Sequence, residues 1–141
     1  MAQLLFDILV RTHPALSVDG GAAGSVTMVP FDGTVDGPLM SGRIASGGVD
    51  TQRVNAAGVR HLSARYILEG EAKAAYGGGP CRVYVENEAW FPDGSNLPFA
   101  TVPRFLTDHP ALRPILARPA VGEAVGEADG LHIRLYAAEE Q

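Results

Sequence analysis

His61-Leu62-Ser63-Ala64-Arg65-Tyr66-Ile67-Leu68 is the stretch on which the fold turns. Leu62, Ala64, Tyr66 and Leu68 fall at every second position, with polar residues at several positions between them. Side chains of a strand point alternately to its two faces, so this spacing predicts a strand with one face in a core. Near the amino terminus Leu4, Phe6, Ile8 and Val10 alternate in the same way. Further strands are expected over Ser25 to Phe31, Leu39 to Ala45, Val49 to Val54, Cys81 to Phe91, Phe99 to Thr107 and Leu131 to Ala137.

Turn signals separate these segments: Asp32-Gly33, Asp36-Gly37-Pro38, Ser46-Gly47-Gly48, Ala57-Gly58, Gly77-Gly78-Gly79-Pro80, Asp93-Gly94 and Asp129-Gly130. The 17 glycines and 10 prolines are spread along the chain rather than gathered in one tract. Many short strands joined by turns, with no helical pattern between them, predict a meander that closes into a barrel or packs as two sheets. One helical turn is expected near Thr107 to Arg113, capped by Thr107 or Asp108 and limited in length by Pro114. The near-repeat Val121-Gly122-Glu123-Ala124 and Val125-Gly126-Glu127-Ala128 is too short for a solenoid and reads as a strand entering a solvated hairpin.

At 141 residues the chain has the size of one domain with one core, 1–141. The single cysteine, Cys81, excludes an internal disulfide and a multi-cysteine zinc site, and fits a reducing, cytoplasmic compartment. The apolar run from Leu4 to Val10 is interrupted by Asp7 and lacks a preceding basic region, which argues against a signal peptide. No stretch approaches the ~20 apolar residues of a membrane span. A net charge of -5 has the wrong sign for a phosphate-binding surface, so neither nucleic acid nor a membrane is expected as a partner.

Familiar catalytic signatures are missing. Gly20-Gly21-Ala22-Ala23-Gly24 has no helix pattern after it and reads as a loop. There is no nucleophile elbow or phosphate loop, and His13, His61, His109 and His132 show no metal-ligand spacing. Asp50 stands out because it enters a half-buried strand just after the Gly47-Gly48 turn. A carboxylate there needs a partner, and Arg65 and Arg104 lie on strands with apolar neighbours; the pair is either structural or part of a pocket. On the strand 84–90, Tyr84, Glu86, Glu88 and Trp90 share one face, where the two carboxylates read as solvated charges. Asn87 shares the apolar face and needs hydrogen-bond partners there.

In order along the chain, Phe31-Asp32-Gly33-Thr34, Gly37-Pro38-Leu39 with Gly42-Arg43-Ile44, Gly47-Gly48-Val49-Asp50-Thr51-Gln52 and Ala64-Arg65-Tyr66 form a set of short motifs. Val83-Tyr84-Val85-Glu86-Asn87, Pro103-Arg104-Phe105 and Ile133-Arg134-Leu135-Tyr136 extend it. Together they resemble the small bacterial domain-of-unknown-function family 3237 over nearly the whole chain. The resemblance implies an all-β fold: a single antiparallel barrel of about eight or more strands, calycin or allene-oxide-cyclase-like, with at most one short helical turn. It also implies a homo-oligomer, and a polar set of Asp50, Arg65, Tyr66, Asn87, Arg104 and Tyr136. Thr51 stands where the family commonly has an aromatic residue, and Glu86 with Glu88 replaces a more basic stretch. If these positions face inward, the pocket wall is altered.

A barrel of this size has room for one small ligand at its mouth. The expectation is therefore a domain that binds a small apolar or aromatic metabolite and performs a lyase, isomerase or cyclase step without a cofactor. In that reading Asp50 accepts a proton, Arg65 or Arg104 stabilises an oxyanion, and Tyr66 or Tyr136 donates a hydrogen bond, with Asn87 also touching substrate. A ligand carrier or sensor without turnover, and a structural oligomer, are the alternatives.

Overall fold

A computed structural model describes residues 2–91 and 99–138. Its strands are β1 (Gln3–Thr12), β2 (Leu16–Asp19), β3 (Ser25–Asp36), β4 (Met40–Ile44), β5 (Val49–Val54), β6 (Arg60–Ala72), β7 (Pro80–Phe91), β8 (Phe99–Thr107), β9 (Ala120–Glu127) and β10 (Gly130–Ala137). All pair antiparallel, and β1 bonds to both β3 and β10, which closes the sheet on itself. The barrel has 8 strand positions, because two of them are each filled by two strands laid end to end. β1 and β2 follow one another along β3, interrupted where Pro14 removes a backbone donor. β4 and β5 follow one another between β3 and β6, interrupted at Ser46-Gly47-Gly48, where Gly47 takes a φ of 105°.

The long pair β6–β7 is the back wall, and its alternation holds throughout. Cys81, Val83, Val85, Asn87, Ala89 and Phe91 are buried, while Tyr84, Glu86, Glu88 and Trp90 face outward. β1 departs from strict alternation: the register shifts between Leu4 and Phe6, so both Leu5 and Phe6 are buried. A β-bulge of this kind puts two neighbouring side chains on one face, which the pattern Leu4-Phe6-Ile8-Val10 does not announce. β2 also lies outside the expected strands; its four residues are all exposed. The expected Asp93-Gly94 turn lies outside the described residues.

One end of the barrel is packed solid by Phe6, Leu39, Met40, Leu68, Leu112 and Leu135, each fully buried. Burial of each such side chain contributes roughly 1.5–3 kcal/mol. The plug includes one helical turn, α1 (Arg113–Leu116), whose Leu116 points into the core. α1 begins later than the sequence suggested. Thr107 and Asp108 do not cap it: the Thr107 hydroxyl donates to the Arg82 carbonyl at 2.8 Å, and the Asp108 carboxylate accepts from the Arg82 N–H at 2.9 Å. Both side chains thus secure β8 to β7, and Pro114 sits in the first turn of α1 instead of ending it. Two 3-10 turns, Gly21–Ala23 and Ala74–Tyr76, lie in other connections.

Outside the barrel, across the β1–β10 seam, His132 lies between Asp7 (2.7 Å from Nδ1) and Asp129 (2.7 Å from Nε2). Arg134 donates to both carboxylate oxygens of Glu127, at 3.0 and 2.6 Å, and to Asp7. The two carboxylates hold the imidazole above its ordinary pKa through these hydrogen bonds. First and last strands are therefore joined by charge as well as by backbone. Among the described residues no helix is long and apolar enough to cross a membrane.

Candidate functional site

The half of the barrel away from α1 is hollow. Its interior holds a partly open cavity of about 210 Å³ whose walls are mostly apolar; an apolar cavity of ~150 Å³ already takes up benzene. Strand register places Asp50 opposite Ala64 and Ala64 opposite Asn87, all three on the inner face. Neighbouring strands lie ~4.8 Å apart, so the Asp50 and Asn87 backbones stand roughly 10 Å apart with only a methyl group between them. That alanine keeps the centre of the wall open.

Tyr66 lies two residues further along the same face of β6. Its ring meets Phe31 edge-on at 5.2 Å. Gly48 makes this approach possible, since a Cβ there would come within 3.0 Å of the Phe31 carbonyl and 3.3 Å of the Tyr66 Cβ. Thr101 reaches the cavity from β8, two residues from Pro103, which stands opposite Asn87, so Thr101 and Asn87 are diagonal neighbours on the inner face. Opposite Thr101 stands Gly122, where a Cβ would collide with the threonine hydroxyl.

Among the described residues lining this cavity, Asp50 Oδ1, Tyr66 OH, Asn87 Oδ1 and Thr101 Oγ1 are buried and have no hydrogen-bond partner. Tyr66, Asn87 and Thr101 are 5%, 3% and 3% exposed. Each orphaned group costs about 1–3 kcal/mol, which a packed core avoids. Asp50 Oδ2 accepts a 3.0 Å hydrogen bond from the Gln52 amide. Burial pushes the Asp50 carboxyl above the usual carboxylate range, against the opposing pull of Gln52 and the Arg60 charge. Burial likewise raises the Tyr66 phenol, so it stays protonated and can donate.

Elsewhere among the described residues His61 Nε2, Ser63 Oγ and His109 Nδ1 are also buried without a hydrogen-bond partner, but none of them lines the cavity with the four above. A wider surface groove contains Arg11, His13, Asp32, Arg43 and Glu69, but it is open, and its charges pair as His13–Asp32 at 2.8 Å and Arg43–Glu69 at 2.8 Å. Glu127, Asp129 and His132 come close enough to share a metal ion. The histidine nitrogens are already taken by Asp7 and Asp129, and Glu127 by Arg134, so this cluster works as an ion-pair network.

Of the six residues expected at the site, the structure brings Asp50, Tyr66 and Asn87 together and leaves Arg65, Arg104 and Tyr136 apart. The reason is alternation. Arg65 lies between the inward Ala64 and Tyr66, so it points outward, 3.7 Å from Glu86. Arg104 lies between inward Pro103 and Phe105 and stands opposite Glu86 on the outer face. Tyr136 follows buried Leu135 and donates to Glu123 at 3.3 Å. Asp50 is therefore paired with neither expected arginine. Thr51 faces outward opposite Ser63, as do Glu86 and Glu88, so none of these departures alters the pocket wall.

Thr101, Gln52 and Arg60 were missed. Thr101 alternates with Phe99 and Pro103, and Gln52 and Arg60 lie two and four residues from Asp50 and Ala64 on the same faces; the signal that singled out Asn87 applies to each.

The family model described as a protein of unknown function, DUF3237, matches residues 2–138. No curated protein matches the chain. Among solved structures, a conserved protein of unknown function from Rhodopseudomonas palustris is 26% identical, with 96% of this chain and 95% of that chain covered and a TM-score of 0.73. A β-barrel-like protein from Acinetobacter baumannii AYE is 21% identical, over 96% and 94%, with a TM-score of 0.73. An enzyme from Penicillium herquei is 15% identical, over 96% and 93%, with a TM-score of 0.67. At these identities the likeness is one of fold.

Proposed function

We propose, for a chain that belongs to the DUF3237 family, that the hollow half of the barrel binds a small, mostly apolar carbonyl compound and that Asp50 removes a proton from it. One observation carries this reading: a carboxylate oxygen and a phenol hydroxyl, both buried and unpartnered, border the same cavity. Desolvation makes Asp50 a stronger base than a surface aspartate, and the bond from Gln52 holds its other oxygen still. Diagonal neighbours on adjacent strands stand ~7–8 Å apart, a span that a carbonyl oxygen and its α-carbon can bridge between Tyr66 and Asp50. As the carbon–hydrogen bond breaks, its electron pair moves into the carbonyl, and the Tyr66 hydroxyl donates to the developing oxyanion. Returning the proton to another carbon completes an isomerisation; expelling a leaving group completes a lyase step; attack on a second centre closes a ring.

The bicyclic ketone 2-tetralone is a suitable probe, since its α-protons exchange readily and its size suits the cavity. In heavy water the parent protein should accelerate deuterium uptake, and Asp50→Asn should lose that acceleration while still binding. Binding without acceleration by the parent would leave the carrier reading in its place. That chains of an enzyme and of proteins of unknown function share this barrel is compatible with either.

Self-association belongs to the same proposal, and the outward Trp90, Val102 and Leu106 support it. Sedimentation velocity at micromolar concentration tests it, and a monomer removes it.

A further inference from the structure

Two poles face each other across Ala64. Asp50 and Tyr66 form one, on β5 and β6; Asn87 and Thr101 form the other, on β7 and β8, and the proton transfer described above does not use them. Asn87 and Thr101 are each only 3% exposed, and neither Oδ1 nor Oγ1 has a partner. The chemistry of this second pole is specific. An amide oxygen accepts, and a threonine hydroxyl both donates and accepts. A carboxylate would meet the lone pairs of Asn87 Oδ1, and an apolar edge would leave both atoms unmatched. A hydroxyl matches both, its hydrogen going to Asn87 Oδ1 and its oxygen receiving the Thr101 hydrogen. Gly122, opposite Thr101, supplies the room this hydroxyl-bearing side chain takes up.

We infer that the substrate is a hydroxylated cyclic carbonyl compound, uncharged, held by its hydroxyl at Asn87 and Thr101 while its carbonyl lies at Tyr66 and its α-carbon at Asp50. This rests on the proton-transfer reading for the orientation of the carbonyl, but the hydroxyl pole is argued from Asn87 and Thr101 alone. It makes those two residues the determinants of which ring compounds are accepted, and Ala64 the residue that sets the thickness of the ring between the poles.

Calorimetric titration of the full chain with 2-tetralone, 6-methoxy-2-tetralone and 6-hydroxy-2-tetralone tests it. These probes differ only at the edge away from the carbonyl, and the methoxy compound keeps the acceptor for Thr101 while removing the donor for Asn87. The hydroxy compound should bind at least about tenfold tighter than 2-tetralone, because a site built around a hydroxyl discriminates against its absence. Asn87→Leu and Thr101→Val should each bring the two to near parity, and both variants without ligand should melt at or above the parent temperature, since each removes an orphaned polar atom. Equal binding by the parent, or a preference that survives Asn87→Leu, overturns the hydroxyl assignment and leaves Asp50 untouched. If none of the three binds, both readings fall.

Discussion

The two ends of the barrel are built from the same strands, yet they are filled by opposite rules. Around α1, Phe6, Met40, Leu68, Leu112 and Leu135 are fully buried apolar side chains packed together. Beyond Tyr66 the same β6 and β7 present Ala64, Leu62 and Asn87 to a cavity, and Asp50 Oδ1, Tyr66 OH, Asn87 Oδ1 and Thr101 Oγ1 lack partners there. The alternation that builds a strand is identical in both halves. What differs is side-chain volume and the presence of buried polar groups without partners, so packing is concentrated at one end and the proposed binding site lies at the other.

The strongest challenge to this division is to cut into the filled end. Phe6→Ala should cost about 3–5 kcal/mol in urea unfolding, as large-to-small changes at fully packed aromatic sites do. A cost near that of a surface residue would mean the plug is not where stability lies. Ala64→Leu at the hollow end sharpens the contrast: it should change stability by less than ~1.5 kcal/mol while abolishing uptake of the ketone probes, because added methylenes enter existing space. A loss comparable to Phe6→Ala would show that Ala64 is packed rather than lining a cavity.

Asp50 gives a smaller, pH-dependent difference. Its folded pKa lies above the unfolded value, so the folded state holds the proton more tightly and stability falls as pH rises from the ordinary aspartate range through the folded value. Asp50→Asn should remove that fall, which chemical unfolding measured across mildly acidic to neutral pH will reveal. His132 at the seam gives the smallest effect. Its folded pKa is also raised, so its contribution is complete below the ordinary imidazole value of 6.5 and is lost as pH rises through the folded value. His132→Gln should flatten stability over that upper window while leaving probe binding unchanged.

Much of the wall was legible because β6 and β7 keep strict alternation for their whole length, and β5 and β8 match the expected strands end for end. What escaped was whatever depends on pairing rather than local pattern. The bulge at Leu5 is set by the register against β10, and the end-to-end placement of β1 with β2 and of β4 with β5 is set by β3. For the site, all six expected residues come as a set from the family resemblance, and strand alternation supports Asp50, Tyr66 and Asn87 but not Arg65, Arg104 and Tyr136. Their neighbours Ala64, Phe105 and Leu135 already placed them on the outer face, so alternation applied consistently would have exchanged them for Thr101, Gln52 and Arg60.

The two interrupted strand positions lie on either side of β3, and both breaks fall at one level. The His13 N–H reaches the Pro30 carbonyl at 2.8 Å, and the Phe31 N–H reaches the Gly48 carbonyl at 3.0 Å. The wall of the hollow half is thus jointed along a line through Pro30 and Phe31, with β2 and Ser25–Val29 on the far side of it. Local opening of that flap breaks few buried apolar contacts, so its free energy belongs to the low end of the range that a folded chain spans. No side chain of β2 or of Ser25–Val29 is fully buried, so the panel and the plug belong to opposite ends of that range.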